Sequence, residues 1–167
     1  MRPCLYLLMA FLLIGQFYIQ AQPEQRDRER AMARQQFNKS FRDIQTISQQ
    51  LLREHEEKRL TPRRLSKDAR SINKCAKTLR SLIALGSLAT EIKIDKEIDT
   101  AEKFDESIRR LAKLVWDFAH NPVHQNNKVF DTDEAARAQT DLLTIINLSK
   151  AIEGKAKGYV SSSVSTQ

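Results

Sequence analysis

Glycine and proline are scarce in this 167-residue sequence, four of each, and cysteine is scarcer still at two. So little glycine and proline excludes a collagen-like or low-complexity chain and argues against a turn-rich all-β protein. Four glycines also leave nothing from which to build a phosphate-cradling loop. Neither a Walker loop nor G-x-G-x-x-G occurs, and G-x-S-x-G and C-x-x-C-H are missing too. Cys4 lies inside the leading apolar run, so Cys75 is the only thiol beyond it, and the exported chain cannot close an internal disulfide. The fold must stand on its apolar core. Cys75 is read as a buried structural thiol in preference to a reactive nucleophile.

The first twenty-one residues read as an address. Arg2 supplies a positive start, Cys4 to Ile14 is an unbroken apolar run of eleven, and Gly15-Gln16 interrupts it. Ile19-Gln20-Ala21 then ends on a small residue suited to cleavage before Gln22, completing the three parts of a secretory signal peptide. The alternative is a membrane tether formed by an uncleaved signal. The apolar stretch falls short of the ~20 residues that cross a bilayer, and no second such run follows. No Cys stands at the junction to carry a lipid. The expectation is an exported chain, periplasmic or secreted, with no transmembrane helix after cleavage.

What is abundant is Leu, Ile, Ala, Lys, Arg, Glu and Gln, the residues that favour helix. Apolar positions recur at alternating spacings of three and four in four segments. They are Phe37, Phe41, Ile44, Ser48, Leu51 and His55; then Leu65, Ala69, Ile72, Ala76, Leu79 and Ile83. The third is Ala101, Phe104, Ile108, Leu111, Val115 and Phe118, and the fourth Ala135, Ala138, Leu142, Ile145, Ser149 and Ile152. Period-2 alternation is confined to Ile92-Lys93-Ile94, too short for a sheet. The spacing predicts helices over 25–57, 62–85, 99–120 and 132–157.

Punctuation agrees with these bounds. Thr61-Pro62 reads as a helix start, with a hydroxyl to cap and a proline that has no amide to waste. Asp99 with Glu102, and Asp131 with Glu134, are spaced like capping boxes. Gly86, Asn121-Pro122 and Gly158 are read as stops for the second, third and fourth helices. The predicted fold class is all-α: an up-and-down four-helix bundle over 37–158. It is preceded by a polar, frayed or projecting segment (22–36) and followed by a disordered tail (159–167). An open helical array, or a coiled-coil dimer through the first helix, is the other architecture considered.

Charge is unevenly placed. Residues 22–80 hold sixteen basic and eight acidic side chains, a balance of +8, whereas 81–167 hold eleven and thirteen, a balance of −2. Within the second helix Arg63, Lys67, Arg70, Lys74 and Lys77 form their own stripe, about 200° around the axis from the apolar seam that starts at Leu65. Such a row can meet an anionic surface or polymer with salt-sensitive affinity, or simply be solvated. No aromatic side chain is interleaved with it, and together with export this argues against nucleic acid.

Asp117, His120 and His124 are the only grouping with metal-ligand character, and Pro122 stands between the two histidines. No Glu-x-x-His motif of a bundle di-iron centre is present, so these residues are read as polar groups at a helix end. Trp116 is read as a core or rim aromatic in preference to a ligand platform. Leu60-Thr61-Pro62-Arg63-Arg64 resembles the L-T-x-x-Q signature of small periplasmic helical stress chaperones over five residues. Arg64 stands where that motif has Gln, a second copy is missing, and capping accounts for Thr-Pro, so no membership is claimed. The sequence therefore assigns no catalytic, cofactor-binding or metal residues. It points to a non-catalytic exported helical protein whose basic amino-terminal half meets an anionic envelope component or partner protein. A chaperone-like or metal-carrying helical bundle is the alternative.

Overall fold

The computed structural model describes residues 3–83, 100–124 and 132–164, with side chains described between Gln25 and Ser161 in those ranges except at Val123 and Thr132. The described residues are all-helical, with no strand among them. Helix α1 runs Pro3–Glu56, α2 Pro62–Leu82, α3 Ala101–Ala119 and α4 Thr132–Val164, with a single 3-10 turn at Pro122–His124. The chain divides into two compact units, Met1–Gln36 and Phe37–Gln167. In the first, the helix continues through Gly15-Gln16 and across the Ala21-Gln22 junction. From Gln25 to Gln36 its side chains are exposed, apart from half-buried Ala33. Among the described residues no helix is long and apolar enough to cross a membrane.

In the second unit the caps come from hydroxyls. Thr61, in extended backbone, accepts the Arg64 amide at 3.3 Å, and Pro62 opens α2. The third helix starts on Thr100 instead of the expected Asp99, because the Thr100 Oγ1 accepts the Lys103 amide at 3.3 Å. Asp99, Gly86 and the Asp131 end of the other expected box lie outside the described residues. Between α1 and α2 the Lys58 and Arg59 amides close onto the carbonyls of His55 and Glu54, at 3.0 and 2.9 Å. Lys58 pays for that tight reversal with φ 55°, a left-handed conformation that glycine adopts without its steric cost.

Pairwise contacts fix the helix directions. Glu54 of α1 reaches Arg64 of α2 at 3.7 Å, as in a hairpin. His55 Nε2 lies 2.9 Å from Asp105 near the start of α3, while the Phe41 ring meets Phe118 near its end at 5.9 Å. Thus α3 is antiparallel to α1 and parallel to α2. Asn73 and Arg70 of α2 meet Ile146 and Glu153 of α4, and Phe104 and Asn121 of α3 meet Tyr159 and Glu134 of α4. The order around the core is therefore α1–α2–α4–α3, with every neighbouring pair antiparallel. The strict up-and-down alternation expected from sequence does not hold. Apolar periodicity fixes which face of a helix is buried, not which way the next helix runs. The sixteen residues between Ile83 and Thr100 can reach roughly 50 Å, more than the ~31 Å length of α2.

The core is the set of faces the periodicity marked. Ile44 and Leu51 of α1, the apolar positions from Leu65 to Leu79 of α2, from Ile108 to Phe118 of α3 and from Ala138 to Ile152 of α4 are buried in one cluster, and Ser48 is buried as the seam predicts. Ala101, counted with the third seam, is exposed at the first turn of α3. Two buried polar groups lock α2 to α4. Asn73 Nδ2 donates to the Ile146 carbonyl at 2.6 Å and lies 3.0 Å from Ser149 Oγ, which itself donates to Ile146. The stop expected at Gly158 is not used. Gly158 has no positive φ, α4 continues to Val164, and Tyr159 packs on Phe104 at 5.7 Å. The expected disordered tail is thus helical over 159–164.

Two substitutions test this account. Ile72→Ala, at a wholly buried site, is expected to lower unfolding free energy by ~2–5 kcal/mol in urea titration. Lys58→Gly should raise it by ~1 kcal/mol, since the left-handed position then costs no Cβ clash; a loss would mean that the turn is not held in that conformation.

Candidate functional site: the outer face of helix α2

Helix α2 carries seven basic residues and one acidic residue, Asp68. Asp68 points inward, 5% exposed, with Arg64 Nε 2.8 Å from its Oδ2. Burial pushes its carboxyl above the usual range, against the opposing pull of Arg64. With the one carboxylate turned inward, the charge that α2 itself shows to solvent is wholly positive. Arg63, Lys67, Arg70, Lys74 and Lys77 are all exposed, on the side away from Leu65, Ala69, Ile72, Ala76 and Leu79. Arg80 adds a further exposed cation in the last turn.

One member of the row has a partner that sequence spacing did not reveal. Arg70 Nε lies 2.8 Å from Glu153 Oε1 of α4, and Lys157 Nζ lies 2.7 Å from the same oxygen. The Lys157 hydrogen bond, then that of Arg70, holds the Glu153 carboxyl below its ordinary value. Two cations share one carboxylate, so positive charge remains in excess. The contact joins residues 83 positions apart and leaves no mark in local periodicity. Cys75 sits half-buried behind the row, its thiol pushed up chiefly by burial.

Asp117, His120 and His124 do not converge. Asp117 Oδ2 accepts from Lys113 Nζ at 2.7 Å. His120 donates from Nδ1 to the Trp116 carbonyl at 2.8 Å and stacks on the exposed Trp116 ring at 4.0 Å. Pro122 turns the chain, and His124 enters a box of Phe118, Phe41 and Phe37 at centroid distances of 4.7, 5.2 and 6.4 Å. Its Nε2 is buried with no hydrogen-bond partner. Among the described residues no group of three or more His, Cys, Asp or Glu could hold a metal ion. No family model matches the chain, and neither curated proteins nor solved structures give a match.

The aromatic box makes His124 a pH-sensitive element of stability. Burial lowers its pKa below the ordinary 6.5, with a backbone hydrogen bond at Phe118 pulling the other way. The unfolded chain therefore takes up the proton first as pH falls. The contribution is whole above about pH 6.5 and is lost as pH drops below it. Denaturant midpoints measured from about pH 7.5 to 5 should fall less in His124→Phe than in the parent; parallel slopes would refute the assignment.

Proposed function

We propose that this chain is an exported, non-catalytic helical protein that holds an anionic component of the cell envelope against the outer face of α2. The observation that carries the reading is the segregation of charge on that helix: five basic side chains outward, the single carboxylate inward. A helix face of one sign concentrates an anionic surface by long-range attraction and needs no aromatic platform or shaped pocket. Export rests on the signal-like grammar of residues 1–21, with release before Gln22, and the anionic component is a membrane surface of anionic phospholipid headgroups, which attracts clustered Lys and Arg. Of the row, Lys67, Lys74 and Lys77 are the side chains best suited to contact, since Arg70 is engaged by Glu153.

Cosedimentation with vesicles rich in phosphatidylglycerol, against phosphatidylcholine alone, tests this directly. Binding to the anionic vesicles is expected at about 0.05 M salt and should largely disappear at about 0.5 M, as the screening length shrinks to a few ångström. Replacing Lys67, Lys74 and Lys77 together by Gln should weaken it roughly a hundredfold, at ~1 kcal/mol per lysine near the surface. Stability should stay within ~0.5 kcal/mol of the parent, because these are exposed charges away from the core. Equal binding by the triple variant would mean the row is merely solvated.

A further inference from the structure

Where α1 and α3 run side by side, a trough of about 390 Å³ opens between them, within the range of small-molecule sites. α2 lines neither wall, so the feature is separate from the basic face. Gln45, Gln49, Leu52 and Glu56 succeed one another by a turn along the α1 wall, which makes the trough about 16 Å long. Arg109, Lys113, Trp116 and His120 form the α3 wall in the same way. Between them Ser48, Ala112 and Ala119 are too small to fill the space.

Three features bear on what this trough takes. Ser48 is 3% exposed and lines the trough, yet its hydroxyl has no hydrogen-bond partner among the described residues. Five helical hydroxyls (Ser71, Thr78, Ser107, Thr140 and Thr144) donate to the carbonyl one turn back, whereas Ser48, like Ser40, the other buried serine of α1, does not. Its hydrogen-bonding capacity is left for something inside the trough. Secondly, both cations of the wall are already matched: Arg109 by Asp105 at 3.0 Å and Lys113 by Asp117 at 2.7 Å. Glu56 adds a further carboxylate, so an anion gains nothing there. Thirdly, Trp116 is 56% exposed and lines the trough, and His120, stacked on it at 4.0 Å, steadies the indole ring.

We propose that the α1–α3 trough binds a neutral, ring-bearing small molecule with one hydrogen-bonding group, the ring against the indole of Trp116 and the polar group on the Ser48 hydroxyl. Trp116 is the single tryptophan of the chain, so its emission reports this site alone. The full chain is titrated with neutral N-phenyl-1-naphthylamine and, separately, with its anionic 8-sulfonate. The expected result is one saturable site per chain for the neutral probe, with energy transfer from Trp116 and no salt dependence, and at least tenfold weaker binding of the sulfonate. Trp116→Ala, at an exposed position, should weaken neutral binding at least tenfold by the probe's own emission. Ser48→Ala should weaken it two- to about tenfold, the worth of one hydrogen bond, with helical circular dichroism unchanged. Absence of saturable transfer, equal or tighter binding of the sulfonate, or unchanged affinity in Ser48→Ala would overturn the proposal. Salt-insensitive binding of the neutral probe by the Lys67, Lys74 and Lys77 variant separates this site from the basic face.

Discussion

A buried amide tolerates few positions. Asn73 sits among Ile72, Ala76 and Leu79, and its donors are satisfied only where α2 meets the Ile146 carbonyl and the Ser149 hydroxyl of α4. Sliding α2 by one turn would strand that amide at a cost of ~1–3 kcal/mol and misalign the apolar faces together. This single register decides much of the rest. It brings Arg70 to Glu153, rotates Asp68 inward, and leaves Arg63, Lys67, Lys74 and Lys77 facing solvent. The positive face of α2 is thus a by-product of how its core side is keyed.

The buried faces were legible in the sequence because burial on a helix repeats every three or four residues, and the seams from Phe37, Leu65, Phe104 and Ala135 all point inward. Caps were legible where a hydroxyl stood alone, as at Thr61. At Asp99 and Thr100 the residue types favoured both as caps, so sequence alone did not choose; the Lys103 amide is taken by the Thr100 hydroxyl. Helix direction was not legible, since a periodic pattern reads the same in either orientation. Gly158 misled for a related reason: glycine permits a left-handed stop but does not compel one, and Tyr159 gained more by continuing onto Phe104.

The candidate surface was half legible. That the basic row lies opposite the apolar seam follows from 100° per residue, but its partner Glu153 comes from the far end of the chain. The trough between α1 and α3 left no signature at all, because it arises from small side chains on two helices whose adjacency the sequence did not announce. The two surfaces differ in physical kind. One carries unbalanced charge, whose field extends beyond contact, and the other offers shape, an aromatic ring and one spare hydroxyl, which matter only in contact.

The parallel run of α2 and α3 has a consequence for how the molecule is assembled. α1 with α2, and α3 with α4, are each an antiparallel hairpin, and the two hairpins meet along the α2–α4 and α1–α3 seams. The link from Ile83 to Thr100 joins the two hairpins covalently and so keeps the halves at high mutual concentration. Cohesion between the halves is therefore a binding equilibrium within one chain. The local hairpins are the low-contact-order part of the structure, their docking the slower, non-local part. A chain cut inside the link would retain both complementary apolar surfaces, and its two fragments would form the same core by association instead of by folding alone.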